Sequence, residues 1–262
     1  IQYHWTNSQP SIGLASSGIG NIASFSAINT SNAPVIAVIT VTPKYTYQGV
    51  TCDGTPLNFN ITVYPNPTTA AAGPDQTICV STGSVTMAGN VPTVGTGTWT
   101  RVSGPNTPVI TNASSATTTI TGLVTGTYVF RWTITSGPCT VSADDITVTV
   151  NPVPTTANAG ADQNLCALTT ATLSGNTATV GTGVWTQVSG SPATITNASL
   201  PSTTVTGLTT GTYVFRWTIS NNPCTPSTDD VQIRIFEQVT SPAAGPDQTL
   251  CGTVVTMAGN VP

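Results

Sequence analysis

Charge is what this sequence lacks most. Only 5% of its 262 residues are Asp, Glu, Lys or Arg, where soluble domains carry about 25%. Lys44, Glu237 and His4 each stand alone in their class, and with four arginines and eight aspartates the net charge is −4. So few scattered cations build no patch to neutralise phosphates, which excludes nucleic acid as a partner. An acid–base centre draws on His, Glu, Lys or a carboxylate pair, and almost none of that set is present. Ser and Thr abound, but no GxSxG-like elbow or local base accompanies them. The expected function is therefore non-enzymatic. Long apolar runs are missing as well, so no stretch reads as a membrane-inserting helix. No secretory leader is recognised at the start, IQYHWT, which reads as the middle of a strand, and we expect a fragment of a longer chain. The poverty of charge is not disorder, because 38% of residues are hydrophobic.

What the chain has is repetition. GPDQTIC from Gly73 returns as GADQNLC from Gly160 and as GPDQTLC from Gly245. VGTGTWT around Trp99 returns as VGTGVWT around Trp185, and GTYVFRWTI from Gly126 returns from Gly211. A period of this size means tandem units of one kind. The expected divisions are 1–65, the C-terminal part of a related domain whose first strands are missing; 68–152 and 155–238, two full repeats; and 241–262, the truncated start of another. Proline pairs such as Pro65–Pro67 and Pro152–Pro154 fall between these divisions, as stiff linkers would.

Helical periodicity is absent, and 24 Gly and 20 Pro interrupt the chain every few residues. Short β-rich runs recur between these breaks. In the first full repeat they are 76–80, 84–88, 96–102, 109–112, 117–121, 127–134 and 145–150. Seven short strands in such a length predict an all-β, immunoglobulin-like Greek-key sandwich, repeated in tandem as an elongated string. Alternation turns Tyr128, Phe130, Trp132 and Ile134 inward and Val129, Arg131 and Thr133 outward. Trp99 is the expected partner of Phe130 between the sheets, and Trp185, Tyr213, Phe215 and Trp217 repeat the same core. Tyr128 also reads as a tyrosine corner. The position two residues later, where antibody domains place a core cysteine, is Phe130.

Each full repeat carries two cysteines. If the first strand and the loop before the seventh strand share a pole, Cys79 pairs with Cys139 and Cys166 with Cys224, which implies an oxidising compartment and export. Cys52 and Cys251 have no local partner, and free buried thiols are the alternative for all. Each repeat also carries three aspartates: Asp75, Asp144 and Asp145, then Asp162, Asp229 and Asp230. If they converge near the linker, they offer oxygen ligands to Ca²⁺. The plainer reading gives Asp75 a turn and pairs one of Asp144 and Asp145 with Arg131. No other cofactor is expected. Threonine runs such as TTTIT at Thr117 read as ordinary strand residues.

The block AGPDQTxC … GTGTWT … ITNASxxxTTxTGLxxGTYVFRWTI … DDxxxxV resembles the PKD-like, immunoglobulin-like repeats of very large secreted surface proteins of Bacteroidota. The opening segment, TNSQPSIGLASSGIGNIASFSAINTSNAPVIAVITVTP … GVTCDGTPLNFNITV, resembles another PKD-like type from the same proteins. The resemblance implies export by a type IX secretion system, a place outside the cell on its surface, and a role as adhesin or adhesin stalk, in some cases in gliding motility. The expected partners are neighbouring repeats of the same chain, with surface polysaccharide or self-association as further ones. The alternative is a spacer or carbohydrate-binding accessory of a secreted polysaccharide-degrading enzyme. The family motif contains no catalytic residue to carry over.

Overall fold

Residues 1–249, 251, 252, 254–257 and 259 are described in a computed structural model of the chain. Two compact units are present, Ile1–Val150 and Asn151–Pro262. Among the described residues no helix is long and apolar enough to cross a membrane.

The first unit opens with β1 (Gln2–Asn7), a 3₁₀ turn (Pro10–Ile12), β2 (Ser17–Ile19), β3 (Val35–Tyr47), β4 (Val50–Asp53) and β5 (Leu57–Val63). They form one antiparallel sheet in the order β2-β1-β3-β4, with β5 sharing the edge of β3 that β4 takes, opposite β1. Gln48 and Gly49 close the β3–β4 hairpin, both with positive φ (48° and 83°), as a tight two-residue hairpin turn requires. Odd-numbered residues of β3 face the core, where Ala37 and Ile39 pack with Trp5, Ile12 and Leu14.

The rest of that unit is a two-layer sandwich. Its strands are β6 (Gln76–Cys79), β7 (Ser84–Thr86), β8 (Thr96–Ser103), β9 (Val109–Ile110), β10 (Thr119–Thr121), β11 (Gly126–Thr135) and β12 (Ser142–Asn151). One sheet runs β6-β12-β11-β8 and the other β7-β10-β9. The second unit repeats this plan with β13 (Gln163–Cys166), β14 (Thr170–Ser174), β15 (Thr182–Ser189), β16 (Thr194–Ile195), β17 (Ser202–Thr206), β18 (Gly211–Ser220) and β19 (Ser227–Phe236). Its sheets are β13-β19-β18-β15 and β14-β17-β16. The fold is thus all-β, with tandem immunoglobulin-like domains. Beyond β19 the described residues form no strand. Val255 and Met257 stand 52% and 77% exposed there, while their counterparts Val85 and Met87 are buried. Part of the expected opening of a further repeat, including Asn260 to Pro262, lies outside the described residues.

The period-two pattern of β11 explains the core. Tyr128, Phe130, Trp132 and Ile134 are fully buried, as are Trp99, Tyr213, Phe215, Trp185 and Trp217 to within 1%. One expectation needs correcting. Trp99 does not meet Phe130 across the two sheets, because β8 and β11 are neighbours in one sheet and register pairs Trp99 with Trp132. These indoles lie 5.1 Å apart, tilted by 37°, and Phe130 stacks instead on Tyr128. The glycine two residues before Trp99 has a packing reason: a Cβ on Gly97 would lie 2.1 Å from the Trp132 ring. Gly183 repeats this against Trp217.

Candidate functional site

The polar side chains singled out by sequence gather where the chain enters each repeat. The entering segment is not laddered like a strand, so its backbone groups need other partners. Ala70 N–H donates to Ser142 Oγ and Ala72 N–H to Asp144 Oδ2, at 2.8 and 2.7 Å. Asp75 Oδ1 accepts from Thr147 N at 2.8 Å. Asn90 acts as a surrogate strand, accepting from Ala71 N and donating to Thr69 O, both at 2.9 Å. Thr68 Oγ1 accepts from the N–H groups of Thr93 and Val94 at 2.9 Å. The second unit repeats every contact, with Ser227, Asp229, Asp162, Asn176 and Thr155 in these roles. Sequence reasoning missed Asn90 and Asn176. Their only signal is the recurring Gly-Asn pair after the second strand.

The aspartates are therefore used one by one. Asp144 and Asp145 are neighbours on a strand and point to opposite faces. Asp144 binds the entering backbone, while Asp145 forms a bidentate pair with Arg131 at 2.7 and 2.8 Å. Asp230 and Arg216 make the same pair. The Arg131 hydrogen bond holds the Asp145 carboxyl below its usual range, and Arg216 does so for Asp230. Both pairs are more than a third exposed, so solvent screens them and their weight in stability is small. Asp75 bonds to β12 rather than to a turn of its own. Among the described residues no group of three or more His, Cys, Asp or Glu is arranged to hold a metal ion. The convergence that a calcium site needs is not formed.

The expected cysteine pairs are not formed either. Cys139 and Cys166 are free thiols, as are Cys52 and Cys251. Cys79 and Cys224 are each in disulfide linkage. The physical reason lies in the parallel pairing of the first and last strands. Register places Gln163 beside Ile233 and Cys166 beside Phe236, at the end of β19. Cys224 lies before the start of β19, so the length of a ten-residue strand, about 30 Å, separates the two positions. The first strand enters at the pole of that loop, but its cysteine sits at the far end.

The loop between the last two strands of each repeat instead holds the chain arriving from upstream. Buried Ser136 Oγ donates to Pro65 O at 2.8 Å, and the Cys139 thiol lies 3.5 Å from the same oxygen. Gly137, at φ 53°, lies against Tyr64, and a Cβ there would come 2.3 Å from the ring. In the second unit Asn221 Nδ2 donates to Pro152 O and Asn151 Nδ2 to Asn222 O, at 2.8 and 2.7 Å. Cys224 Sγ sits 3.3 Å from Pro152 O. Tyrosine corners brace the opposite end. Tyr128 Oη accepts from Val124 N at 2.9 Å and donates to Asn106, and Tyr213 Oη accepts from Thr209 N at 2.8 Å.

The family model described as K319L-like, PKD domain matches residues 72–150 and 159–235, more than half of the chain. The chain belongs to the K319L-like PKD domain family. A relative from Mus musculus, the Dyslexia-associated protein KIAA0319-like protein, is 29% identical over 204 residues. That alignment takes in 72% of this chain and 19% of the mouse protein, so the chain spans about a fifth of that relative's length. Among solved structures, the PKD domain from KIAA 1837 protein is 28% identical, covering 36% of this chain and 92% of that one, with a TM-score of 0.29. Sidekick-1 immunoglobulin domains 1-5 are 13% identical, covering 93% and 55%, with a TM-score of 0.47. The family match at 72–150 and 159–235 makes the chain a tandem of PKD domains.

Proposed function

We propose that this PKD-family chain is a section of the stalk of a large cell-surface adhesin, which holds a distal binding region away from the cell. The observation that carries the reading is the seat built for the arriving chain. Ser136 and Gly137 hold Pro65 and Tyr64 by a buried hydrogen bond and a ring contact. The second unit builds its own seat for Asn151 and Pro152. Within the first unit, the backbone fixed between residues 1–65 and the repeat that follows resists bending, which is what a spacer needs and a Gly-rich tether lacks. In tandem repeats such local contacts make stability roughly additive along the chain. The oxidised state of Cys79 and Cys224 fits an extracellular compartment. The sequence resemblance adds type IX export and, in some proteins, gliding motility. Neighbouring repeats are the principal partners, with surface polysaccharide or self-association serving the tip.

Negative-stain electron microscopy of the parent protein on its cell tests this. Beaded threads leaving the surface are expected. Compact particles, or release into the medium without threads, overturn the stalk and favour an accessory of a secreted polysaccharide hydrolase.

A further inference from the structure

The β1–β5 sheet sorts its side chains by face. Register puts Tyr3, Trp5, Leu57 and Phe59 on the face of the odd-numbered β3 residues, with Cys52 beside Tyr45 and Val50 beside Tyr47. Neighbours along a strand point the other way. Lys44 and Asp53 therefore meet on the opposite face, 3.1 Å apart. The first face is apolar and takes no charged side chain from these strands.

Only part of it is covered. Ile12 and Leu14 pack over Trp5 and Ile39. Tyr3, Tyr45, Tyr47, Val50, Leu57 and Phe59 are bare, from 44% exposed at Phe59 to 74% at Leu57. In the full repeats a second sheet covers the inner face, and the aromatic residues of β11 and β18 are buried there. The polar accounting points the same way. Trp5 is more than nine-tenths buried, yet its Nε1–H has no partner. Trp99 and Trp185 each donate to a backbone oxygen at 3.1 Å. A buried donor left unpaired is costly and rare in a finished core.

We propose that this face is the interface of a homodimer, in which two copies of the chain pack their β1–β5 sheets face to face. Area and charge select the occupant. A covered aromatic ring buries 150–250 Å², so four half-exposed aromatics with Val50 and Leu57 offer roughly 600 Å². A standard interface buries about 800 Å² per partner, about two-thirds of it apolar in homodimers. The patch therefore matches what a stable dimer needs and exceeds what monomers ordinarily leave bare. A face without charge meets its own copy without like-charge repulsion, and two apolar sheet faces make a sandwich. The pairing is two-fold, so it closes at two copies. It places self-association on residues 1–65 rather than at a tip, and it holds whether or not the chain belongs to a stalk.

Sedimentation equilibrium of the 262-residue chain across micromolar concentrations tests this. A monomer–dimer equilibrium is expected. Cys52, an exposed free thiol on this face, should be alkylated more slowly in the native chain as the dimer fills, while exposed Cys166 keeps its rate. L57K and Y47K should each raise the dissociation constant about tenfold or more. Neither should lower the melting temperature of the monomer, since both side chains are exposed there. A chain that stays monomeric, assembly that grows past the dimer, or a dimer that both variants leave intact overturns the proposal. So does a loss of monomer stability in both variants, which would show the side chains packed within one copy. Protection of Cys52 by a soluble β-glucan in a chain that stays monomeric would assign the face to glycan and overturn it too.

Discussion

At the residue scale, small side chains set the terms for large ones. Gly97 is the floor on which the Trp132 ring lies, and Gly183 is the floor for Trp217. This explains a pattern that was legible in the sequence but had no assigned cause, the glycine two places before Trp99 and before Trp185. We expect Gly97→Ala to destabilise the first repeat by roughly 1–3 kcal/mol, as overpacking of a filled core does. Chemical denaturation followed by tryptophan fluorescence checks it, and an unchanged midpoint would contradict the packing. The aromatic identities were readable because alternation on a strand leaves two choices of face, and only one puts four apolar side chains together. The mutual pairing was harder to read. Register decides whether Trp99 meets Trp132 or Phe130, and register depends on a partner strand some 30 residues away.

At the scale of elements, the entering segment and the last strand are stitched by side chains rather than by a continuous ladder. Seven strands per repeat were legible because Gly and Pro mark their limits. The part played by Asn90 was not, since an asparagine in a turn-rich run looks like any loop residue until its partners, Thr69 and Ala71, are known. The aspartates could be counted but not placed. Two of each three lie side by side, and a strand sends neighbours to opposite faces. Their electrostatics make a prediction with a definite sign. The carboxyl pKa values of Asp145 and Asp230 in the folded state are held below the usual carboxylate range by the hydrogen bonds from their arginines. Their contribution to stability is complete above the unfolded-state value, about 3.9, and fades as pH falls through the lower folded-state value. Thermal melts from neutral to strongly acidic pH should therefore show a modest loss confined to the acid limb. Replacing both residues with Asn should flatten that limb. An acid limb identical in the double variant would remove these pairs from the account.

For the whole molecule, the cysteines separate what composition tells from what topology decides. An even number in each full repeat was a sound hint of oxidation, but the pairing rested on which pole each sulfur occupies. A parallel first strand carries its cysteine to the opposite end. Alkylation of the denatured, unreduced chain should therefore modify Cys52, Cys139, Cys166 and Cys251, and Cys79 and Cys224 only after reduction. Intact mass and peptide mapping read this directly; protection of Cys139 or Cys166 before reduction would restore the pairing expected from sequence. The tryptophans give the tandem plan another use. Each repeat holds one close indole pair, at 5.1 Å in the first and 5.0 Å in the second, with nearly the same tilt. Two chromophores this close share their excited states. Every folded repeat should thus add the same exciton couplet to the circular dichroism of the chain, and its amplitude becomes an optical count of intact domains along the parent protein.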